Sequence, residues 1–291
     1  MSILIGRDTR ILVQGITGKS GSLQAEVMLQ YGAKIVCGVT PGKGGQTVHG
    51  VPVFDTVREA VEHTPVDAAI SFVPPAAAMD SCFEVIDGGI PLLVLTTENI
   101  PEHDVQRILS YAALKGTRIL GPGTAGLISP GESKLGAHPA RMYTKGRVGV
   151  VSKSGALSYE VGKALTDAGI GQSTVAAIGG GPVWGTTTKD IVALFQADPE
   201  TNIIVLLGEI GGDLEQQAAA YIAAHVDKPV IALIVGRAAP QGKSLGHAGA
   251  IIDGGGGGAA EKLAALRAAG VRVAASPSEI VAMIQAIQSA E

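Results

Sequence analysis

The sequence is poor in aromatic residues and in cysteine. One Trp, five Tyr and four Phe make up 3% of its 291 residues, whereas glycine occurs 41 times. A core with so few aromatics must be filled by Ala, Val, Ile and Leu, which is typical of parallel sheets covered by alanine-rich helices. The two cysteines, Cys37 and Cys82, show no metal-ligand spacing. We therefore expect reduced thiols in a cytoplasmic protein.

The chain also lacks a basic tract and a long apolar run. Its 22 Lys and Arg are outnumbered by 26 Asp and Glu, which gives a net charge of −4 and argues against a nucleic-acid partner. No stretch approaches the roughly 18 apolar residues of a membrane span. Residues 1–5 lack the cationic start of a signal peptide, so we expect neither a leader nor a membrane partner.

Short aliphatic runs alternate with helical patterns along the whole chain. This alternation predicts an α/β protein with mostly parallel strands. We predict strands at residues 10–16, 34–39, 67–73, 91–96 and 118–120, and again at 147–152, 174–178, 202–208 and 229–235. Clustered Gly and Pro interrupt the pattern after residue 120. We therefore predict one domain at 1–122, a connecting segment at 123–145 and a second domain at 146–291.

The loop after the first predicted strand has the composition of a phosphate cradle. Residues 15–21 read Gly-Ile-Thr-Gly-Lys-Ser-Gly, and glycines at the start of a helix let its backbone N–H groups approach a phosphate. A Walker P-loop is excluded, because Val13 stands where its first glycine is required. A dinucleotide site would have an acidic residue after the second strand, whereas this chain has Lys43. A lysine there favours a ligand with an additional phosphate, such as coenzyme A; a turn that only packs helix on strand is the alternative.

Three polar residues follow another strand at the same predicted edge. The hydroxyls of Thr96 and Thr97 and the carboxylate of Glu98 could bond an adenine or a ribose. Thr97 or Glu98 could instead cap the helix that follows. The pattern leaves both interpretations open.

The second predicted domain places three chemical groups after its strands. Ser154 and Gly155 open a helix, either as a simple cap or as an anion site. Glu209 ends an apolar strand, where it could cap a helix or orient a histidine. His247 stands among glycines and alanines, and a neutral imidazole oriented by a carboxylate can accept a phosphoryl group. We expect the other histidines at the surface: His49, His63, His103, His138 and His225.

Together these motifs resemble the α subunits of succinyl-CoA synthetase (succinate–CoA ligase), in order and spacing, from residue 1 to about 288. The resemblance rests on Gly-Ile-Thr-Gly at 15–18, Val-Thr-Pro-Gly-Lys-Gly-Gly at 39–45, Ser-Lys-Ser-Gly at 152–155, Gly-Glu-Ile-Gly-Gly at 208–212 and Gly-His-Ala-Gly-Ala-Ile at 246–251. It implies a CoA-binding Rossmann-like domain followed by a flavodoxin-like ligase domain. It also implies a reversible ligase, active in the tricarboxylic acid cycle, that forms acyl-CoA from acid, CoA and ATP or GTP through phosphohistidine and acyl-phosphate.

The resemblance implies roles for particular residues and partners. His247 would carry the phosphoryl group, Glu209 would steady it, and Tyr159 would lie near the substrate. CoA would be bound by Thr17, Gly18, Lys19, Ser20, Lys43, Thr96, Thr97 and Glu98. An ATP-grasp β subunit would bind the nucleotide with Mg²⁺, in an αβ or α2β2 heteromer; no metal site is expected in this chain.

Several positions differ from the residues usual in that family. Gly123, Thr124 and Ala125 stand where Asn, then Cys or Thr, then often Pro are usual. Gly181 replaces an Asp, and other substitutions are Trp184 for a smaller residue and Lys153 for Arg. We therefore regard residues 123–125 as candidate substrate positions. The alternatives are the same chemistry on malate or a sulfonated analogue, a CoA-binding regulator without catalysis, and an NAD-binding protein.

Overall fold

The computed structural model describes residues 2–238, 240, 246–252 and 257–290. Within them the chain forms two seven-stranded sheets. The strands of the first sheet are β1 (Arg10–Gln14), β2 (Lys34–Val39), β3 (Thr47–Val48), β4 (Val51–Phe54), β5 (Ala68–Ser71), β6 (Leu92–Leu95) and β7 (Arg118–Leu120). Those of the second are β8 (Gly126–Ser129), β9 (Ser133–Gly136), β10 (Lys145–Ser152), β11 (Gln172–Ala177), β12 (Ile203–Glu209), β13 (Val230–Val235) and β14 (Arg272–Ala274).

The first sheet has the strand order of a Rossmann fold. The order is β3-β4-β2-β1-β5-β6-β7, and every pair is parallel except the edge pair of β3 and β4. The order reverses between β1 and β5, so the loops that follow these two strands diverge and leave a crevice. The predicted phosphate loop at residues 15–21 follows β1 at this point.

The second sheet is flavodoxin-like in its parallel part. Its order is β14-β13-β12-β10-β11-β8-β9, and the order reverses between β10 and β12. Ligands bind outside the carboxyl ends of strands at such a point. Ser154 lies just beyond β10 and Glu209 is the last residue of β12, so both residues stand at this reversal. The two sheets agree with the predicted α/β fold, a Rossmann-like domain followed by a flavodoxin-like one.

Helices cover both faces of the two sheets. They are α1 (Lys19–Gln30), α2 (Val57–His63), α3 (Pro75–Asp87), α4 (Glu102–Lys115), α5 (Gly155–Asp167), α6 (Thr188–Ala197), α7 (Leu214–His225), α8 (Ala259–Ala268) and α9 (Pro277–Gln288). The helices α2, α5, α6 and α9 begin after a Ser or Thr whose side chain accepts a backbone N–H of the first turn. Thr187 and Asp190, for example, form a reciprocal capping box at the start of α6.

Part of the predicted connecting segment is sheet. Within residues 123–145, β8 and β9 form an antiparallel hairpin, and β8 continues the second sheet by pairing with β11. We call the first sheet with α1–α4 the first unit, and the second sheet with α5–α9 the second unit. The helix α1 of the first unit contacts β9 of the second. Gly126 and Gly136 allow the two strands to approach, since a Cβ on Gly126 would lie 2.0 Å from the carbonyl oxygen of Leu135. The clustered Gly and Pro therefore mark a tight hairpin as well as a chain junction.

The hairpin also corrects the prediction for one histidine. His138 is fully buried, with Nδ1 3.0 Å from the Tyr143 hydroxyl and Nε2 3.1 Å from the Gly126 carbonyl oxygen. Burial lowers the pKa of His138 to about 4. The surface prediction was wrong here because a small hairpin covers the residue, whereas the other four histidines of that prediction are exposed.

The apolar core is aliphatic, as the composition predicts. Val, Ile, Leu and Ala fill both faces of the two sheets, and Phe195 is the large aromatic at the centre of the second unit. Among the described residues, none of the helices has the length and apolar character needed to cross a bilayer.

Candidate active site

A histidine and a glutamate form the central pair of the second unit. His247 Nδ1 lies 2.7 Å from Oε2 of Glu209. The His247 side chain is one third exposed (34%), whereas Glu209 is almost buried (8%). Because a carboxylate accepts the hydrogen bond, the neutral ring carries its proton on Nδ1 and its lone pair on Nε2. The geometry therefore presents Nε2 as the nucleophilic atom.

Charges around the ring shift its protonation. The hydrogen bond that His247 donates to Glu209 raises the pKa of His247 above its ordinary value, and the charges of Glu209 and Glu98 act in the same direction. Partial burial and the charge of Lys153 oppose this rise. The ring of His247 therefore holds a proton up to a higher pH than a free imidazole does.

The space for the imidazole is made by a glycine from another loop. A Cβ at Gly180 would lie 2.3 Å from Cγ of His247, so the ring or the loop would have to shift. The backbone N–H of Gly249 donates to the carbonyl oxygen of Gly180 at 3.1 Å. The glycines beside His247 in sequence are thus only part of its surroundings, because the ring rests on the loop after β11.

A cavity of about 440 Å³ opens in front of His247. It is lined by loops of both sheets: Thr97, Glu98, Asn99, Ile100, Glu102, Val105, Pro122, Gly123, Gly180, Gly181, Pro182, Val183, Gly246, His247 and Ala248. The loop after β6 in the first unit therefore meets the histidine loop of the second. The cavity therefore joins the carboxyl edge of the first sheet to His247.

The structure brings part of the predicted CoA set to this cavity. Thr97 and Glu98 line it. The hydroxyl of Thr97 donates to the Val73 carbonyl at 2.8 Å, and that of Thr96 to the Ser71 carbonyl at 2.6 Å. Both hydroxyls thus tie the end of β6 to the end of β5, and the role of Thr96, Thr97 and Glu98 in CoA binding stays a prediction.

The remaining CoA candidates lie at the other predicted loops. Gly18 is the cap of α1, and its N–H donates to the Gly15 carbonyl at 3.0 Å. The backbone N–H of Thr17 lies 3.5 Å from the Thr40 hydroxyl, which joins the loop after β1 to the loop after β2. Lys19, Ser20 and Lys43 are exposed. These residues surround the crevice at the switch point, and their role in CoA binding stays a prediction.

The predicted phosphate residues lie at the start of α5, and two of the predicted substrate residues lie in the segment after β7. Ser154 caps α5 by accepting the N–H of Leu157 at 3.3 Å, so its capping role is confirmed, while its anion role with Gly155 stays a prediction. Gly123 lines the cavity with φ +65°, a conformation that favours glycine. Its neighbour Thr124 is buried and donates to the Ala177 carbonyl at 2.5 Å.

Two further substrate candidates, Tyr159 and Ala125, are not among the described residues that line the cavity. Tyr159 stands edge-on to the ring of His138, at a centroid distance of 5.4 Å. Ala125 packs on the start of α5, since a Cβ at Gly155 would lie 3.0 Å from its methyl carbon. Their substrate roles also stay predictions.

Sequence reasoning missed a buried ionic cluster behind the pair. Lys153 and Lys262 are 1% and 0% exposed, and both lie beside the buried carboxylate of Glu215. The ammonium of Lys153 also lies 5.1 Å from the ring centroid of Trp184. Three charged residues spread over more than a hundred positions give no local pattern, although a charged residue at 153, directly after an apolar strand, was a usable signal.

These features define a class: a CoA-type Rossmann unit joined to a flavodoxin-like unit with a carboxylate-oriented histidine between them. The family model described as CoA binding domain matches residues 6–99, and the model described as CoA-ligase matches residues 151–272. The chain is 50% identical over 287 residues to the succinate–CoA ligase [ADP-forming] subunit alpha 1 of Archaeoglobus fulgidus, covering 99% of this chain and 98% of that protein. It is 51% identical over 284 residues to the subunit alpha of Methanothermobacter thermautotrophicus, covering 98% and 96%. The chain belongs to the succinate–CoA ligase α-subunit family.

Solved structures share the fold at much lower identity. ATP citrate lyase of Methanosaeta concilii, in complex with (3S)-citryl-CoA, superposes with a TM-score of 0.85 at 23% identity. The match covers 97% of this chain and 51% of that one, so the chain spans about half the length of this solved relative. At this identity the likeness shows the fold alone.

Proposed function

We propose that this chain is the α subunit of an ADP-forming succinate–CoA ligase. Its reaction converts succinate, CoA and nucleoside triphosphate into succinyl-CoA, nucleoside diphosphate and phosphate, and it runs reversibly. The observation that carries the proposal is the His247–Glu209 pair, 2.7 Å apart, at a cavity that Thr97 and Glu98 of the CoA-binding unit also line. Identity over nearly the whole length of the relatives named above supports the choice of succinate.

The chemistry of His247 follows from its geometry. Nε2 attacks the terminal phosphorus of the nucleotide, the P–N bond forms as the P–O bond to the diphosphate breaks, and Glu209 stabilises the positive charge on the ring. A succinate oxygen then takes the phosphoryl group and gives succinyl phosphate and free His247. The CoA thiol attacks the acyl carbon, loses its proton and releases inorganic phosphate.

In this proposal CoA lies along the carboxyl edge of the first sheet. The helix start at Gly18 and the residues Thr17, Lys19 and Ser20 receive its phosphates, and Lys43 pairs with the additional phosphate. Thr96, Thr97 and Glu98 line the path by which the thiol approaches His247. Gly123 and the start of α5 at Ser154 and Gly155 face the acid and the phosphoryl group.

The proposal requires a second chain. No P-loop occurs in the sequence, and an ATP-grasp β subunit would bind ATP, or GTP, with Mg²⁺. The ADP-forming names of the relatives favour ATP. We also place the enzyme in the cytoplasm, because both cysteines of the chain, Cys37 and Cys82, are free, as is usual in a reducing compartment.

The test reconstitutes the chain with a β subunit from the same source. We expect succinyl-CoA formation with ATP, and acid-labile ³²P on the α chain that disappears in His247→Asn. His225→Asn, at an exposed helix end, is the matched control and keeps the label. Full ligase activity of His247→Asn would refute the proposed mechanism.

The same complex answers the question of the acid. A panel of succinate, malate and a sulfonated short acid is assayed with CoA, ATP and GTP, and we expect the highest kcat/KM for succinate. A higher kcat/KM for another acid would overturn the substrate assignment and leave the reaction type intact, because His247 and the CoA loops serve any of these acids.

A further inference from the structure

Glu215 lies directly behind the His247–Glu209 pair, in the first turn of α7. Its Oε1 accepts the backbone N–H of Glu209 at 3.1 Å and lies 3.4 Å from the Lys153 ammonium. Its Oε2 accepts a hydrogen bond from Lys262. The side chains of Glu215, Lys153 and Lys262 are each at most 1% exposed. None of the three is among the described residues that line the cavity.

The two lysines also hold the turn that follows Glu209. Lys262 donates to the Gly211 carbonyl at 2.6 Å, and Lys153 donates to the same oxygen at 3.3 Å. The backbone of the Glu209 turn is therefore tied to the cluster on both sides, at the N–H of Glu209 and at the carbonyl of Gly211. A shift of the cluster would move the carboxylate that orients His247.

Gly208 makes this arrangement possible. A Cβ at position 208 would lie 2.7 Å from both Cγ and Oε1 of Glu215. Any larger residue would push the carboxylate away from the Glu209 N–H. Gly208 is therefore required because Glu215 packs against it, and the sequence motif alone does not indicate this contact.

The charges indicate what Glu215 does. Two ammonium groups share its single carboxylate, and a buried charge requires a partner. Burial lowers the pKa of Lys262, and the negative charges of Glu215 and Glu209 oppose that fall. The charge of Glu209 thus acts on Lys262 as well, and its backbone N–H is held by Glu215. Without Glu215 we expect the lysines to attract the Glu209 carboxylate away from His247.

We infer that Glu215 is a positioning residue for the phosphohistidine chemistry: it neutralises Lys153 and Lys262 and so leaves the Glu209 carboxylate to His247. This inference rests on the proposed function, in which His247 carries the phosphoryl group.

The test compares Glu215→Gln with wild type in the α–β complex. Glutamine keeps the shape and an acceptor for the Glu209 N–H and removes the charge. We expect His247 phosphorylation about tenfold to a hundredfold slower, by analogy with the loss of a carboxylate partner at a metal-binding histidine, with KM for CoA unchanged. Glu261→Gln, an exposed neighbour on α8, is the control and keeps the wild-type rate. Absence of label in wild type overturns the proposed function, whereas a wild-type rate in Glu215→Gln overturns only the role of Glu215.

A second readout needs no activity. In the full chain with labelled histidines, NMR titration follows His247, whose charged neighbours are Glu209, Glu98 and Lys153. We expect its pKa to fall in Glu215→Gln, and to recover part of the way when Lys262→Met is added. Gly208→Ala keeps every charge but displaces Glu215, and we expect the same direction of change. An unchanged His247 titration in both Glu215→Gln and Gly208→Ala would contradict the inference.

Discussion

At the scale of single residues, the pairing of His247 with Glu209 has two opposing effects. The carboxylate raises the pKa of His247, which reduces the neutral fraction that can act as a nucleophile. In the proposed mechanism the same carboxylate stabilises the positive ring that forms when Nε2 takes the phosphoryl group. Glu209 therefore favours the phosphorylated state and makes its formation depend on pH.

This balance predicts how the pH profile changes in Glu209→Gln. Phosphorylation of wild type is lost as pH falls through the raised pKa of His247, because the imidazolium has no lone pair. Removing the main cause of the rise moves this acid limb to lower pH, while loss of orientation lowers the maximum rate, by about tenfold or more. Initial rates of ³²P incorporation between pH 5 and 9 measure both effects.

The matched control is Glu160→Gln, an exposed residue of α5, which keeps the wild-type profile. An acid limb that stays in place in Glu209→Gln would show that another group governs the titration.

At the scale of the elements, the loop after β11 forms the floor of the histidine site. Gly180 lies so close to the imidazole that an added Cβ would overlap the ring. We expect Gly180→Ala to displace His247 from Glu209 and to slow phosphorylation at least tenfold. The overpacking also costs about 1–3 kcal/mol of stability, which thermal unfolding would register. Gly181→Ala is the control on the same loop, since its Cβ would meet nothing closer than 3.8 Å.

Equal phosphorylation rates of these two variants would contradict the packing argument. Both glycines line the cavity, but of the two only Gly180 is so close to the His247 ring that an added Cβ would overlap it.

The elements that the sequence predicted well are those with local signals. Aliphatic runs predicted nine of the fourteen strands in the described part of the chain, and the loops at their carboxyl ends followed from the parallel topology. The short strands β3, β4, β8, β9 and β14 were not predicted. Gly180 and Glu215 were missed because their contacts with His247 and Glu209 join parts of the chain that no local pattern links. The hairpin of β8 and β9 was missed because each of its strands has only four residues, and its close glycines read as a loop.

At the scale of the whole molecule, the two units divide the work at one cavity. The first sheet contributes the loop with Thr97 and Glu98, and the second contributes His247. The hairpin and α1 join the two units, because α1 contacts β9. In the proposed reaction, CoA along the first sheet and the phosphoryl group on His247 meet in this cavity, and a partner chain supplies the nucleotide.

The division predicts which ligands stabilise the chain without its partner. A ligand that binds only the folded state at 100 times its Kd adds about 2.7 kcal/mol to the free energy of unfolding. We expect CoA to raise the Tm of the full chain clearly, and NAD to leave it unchanged, because the chain has Lys43 where an NAD site needs an acid. If Lys43 pairs with the additional phosphate, Lys43→Met reduces the rise in Tm caused by CoA and leaves the rise caused by dephospho-CoA unaltered. The control is Lys34→Met, on the exposed start of β2, which changes neither rise in Tm. A Tm shift with NAD as large as that with CoA would show that the first sheet is a dinucleotide site, and the proposed meeting of thiol and phosphohistidine in the cavity would then lose its basis.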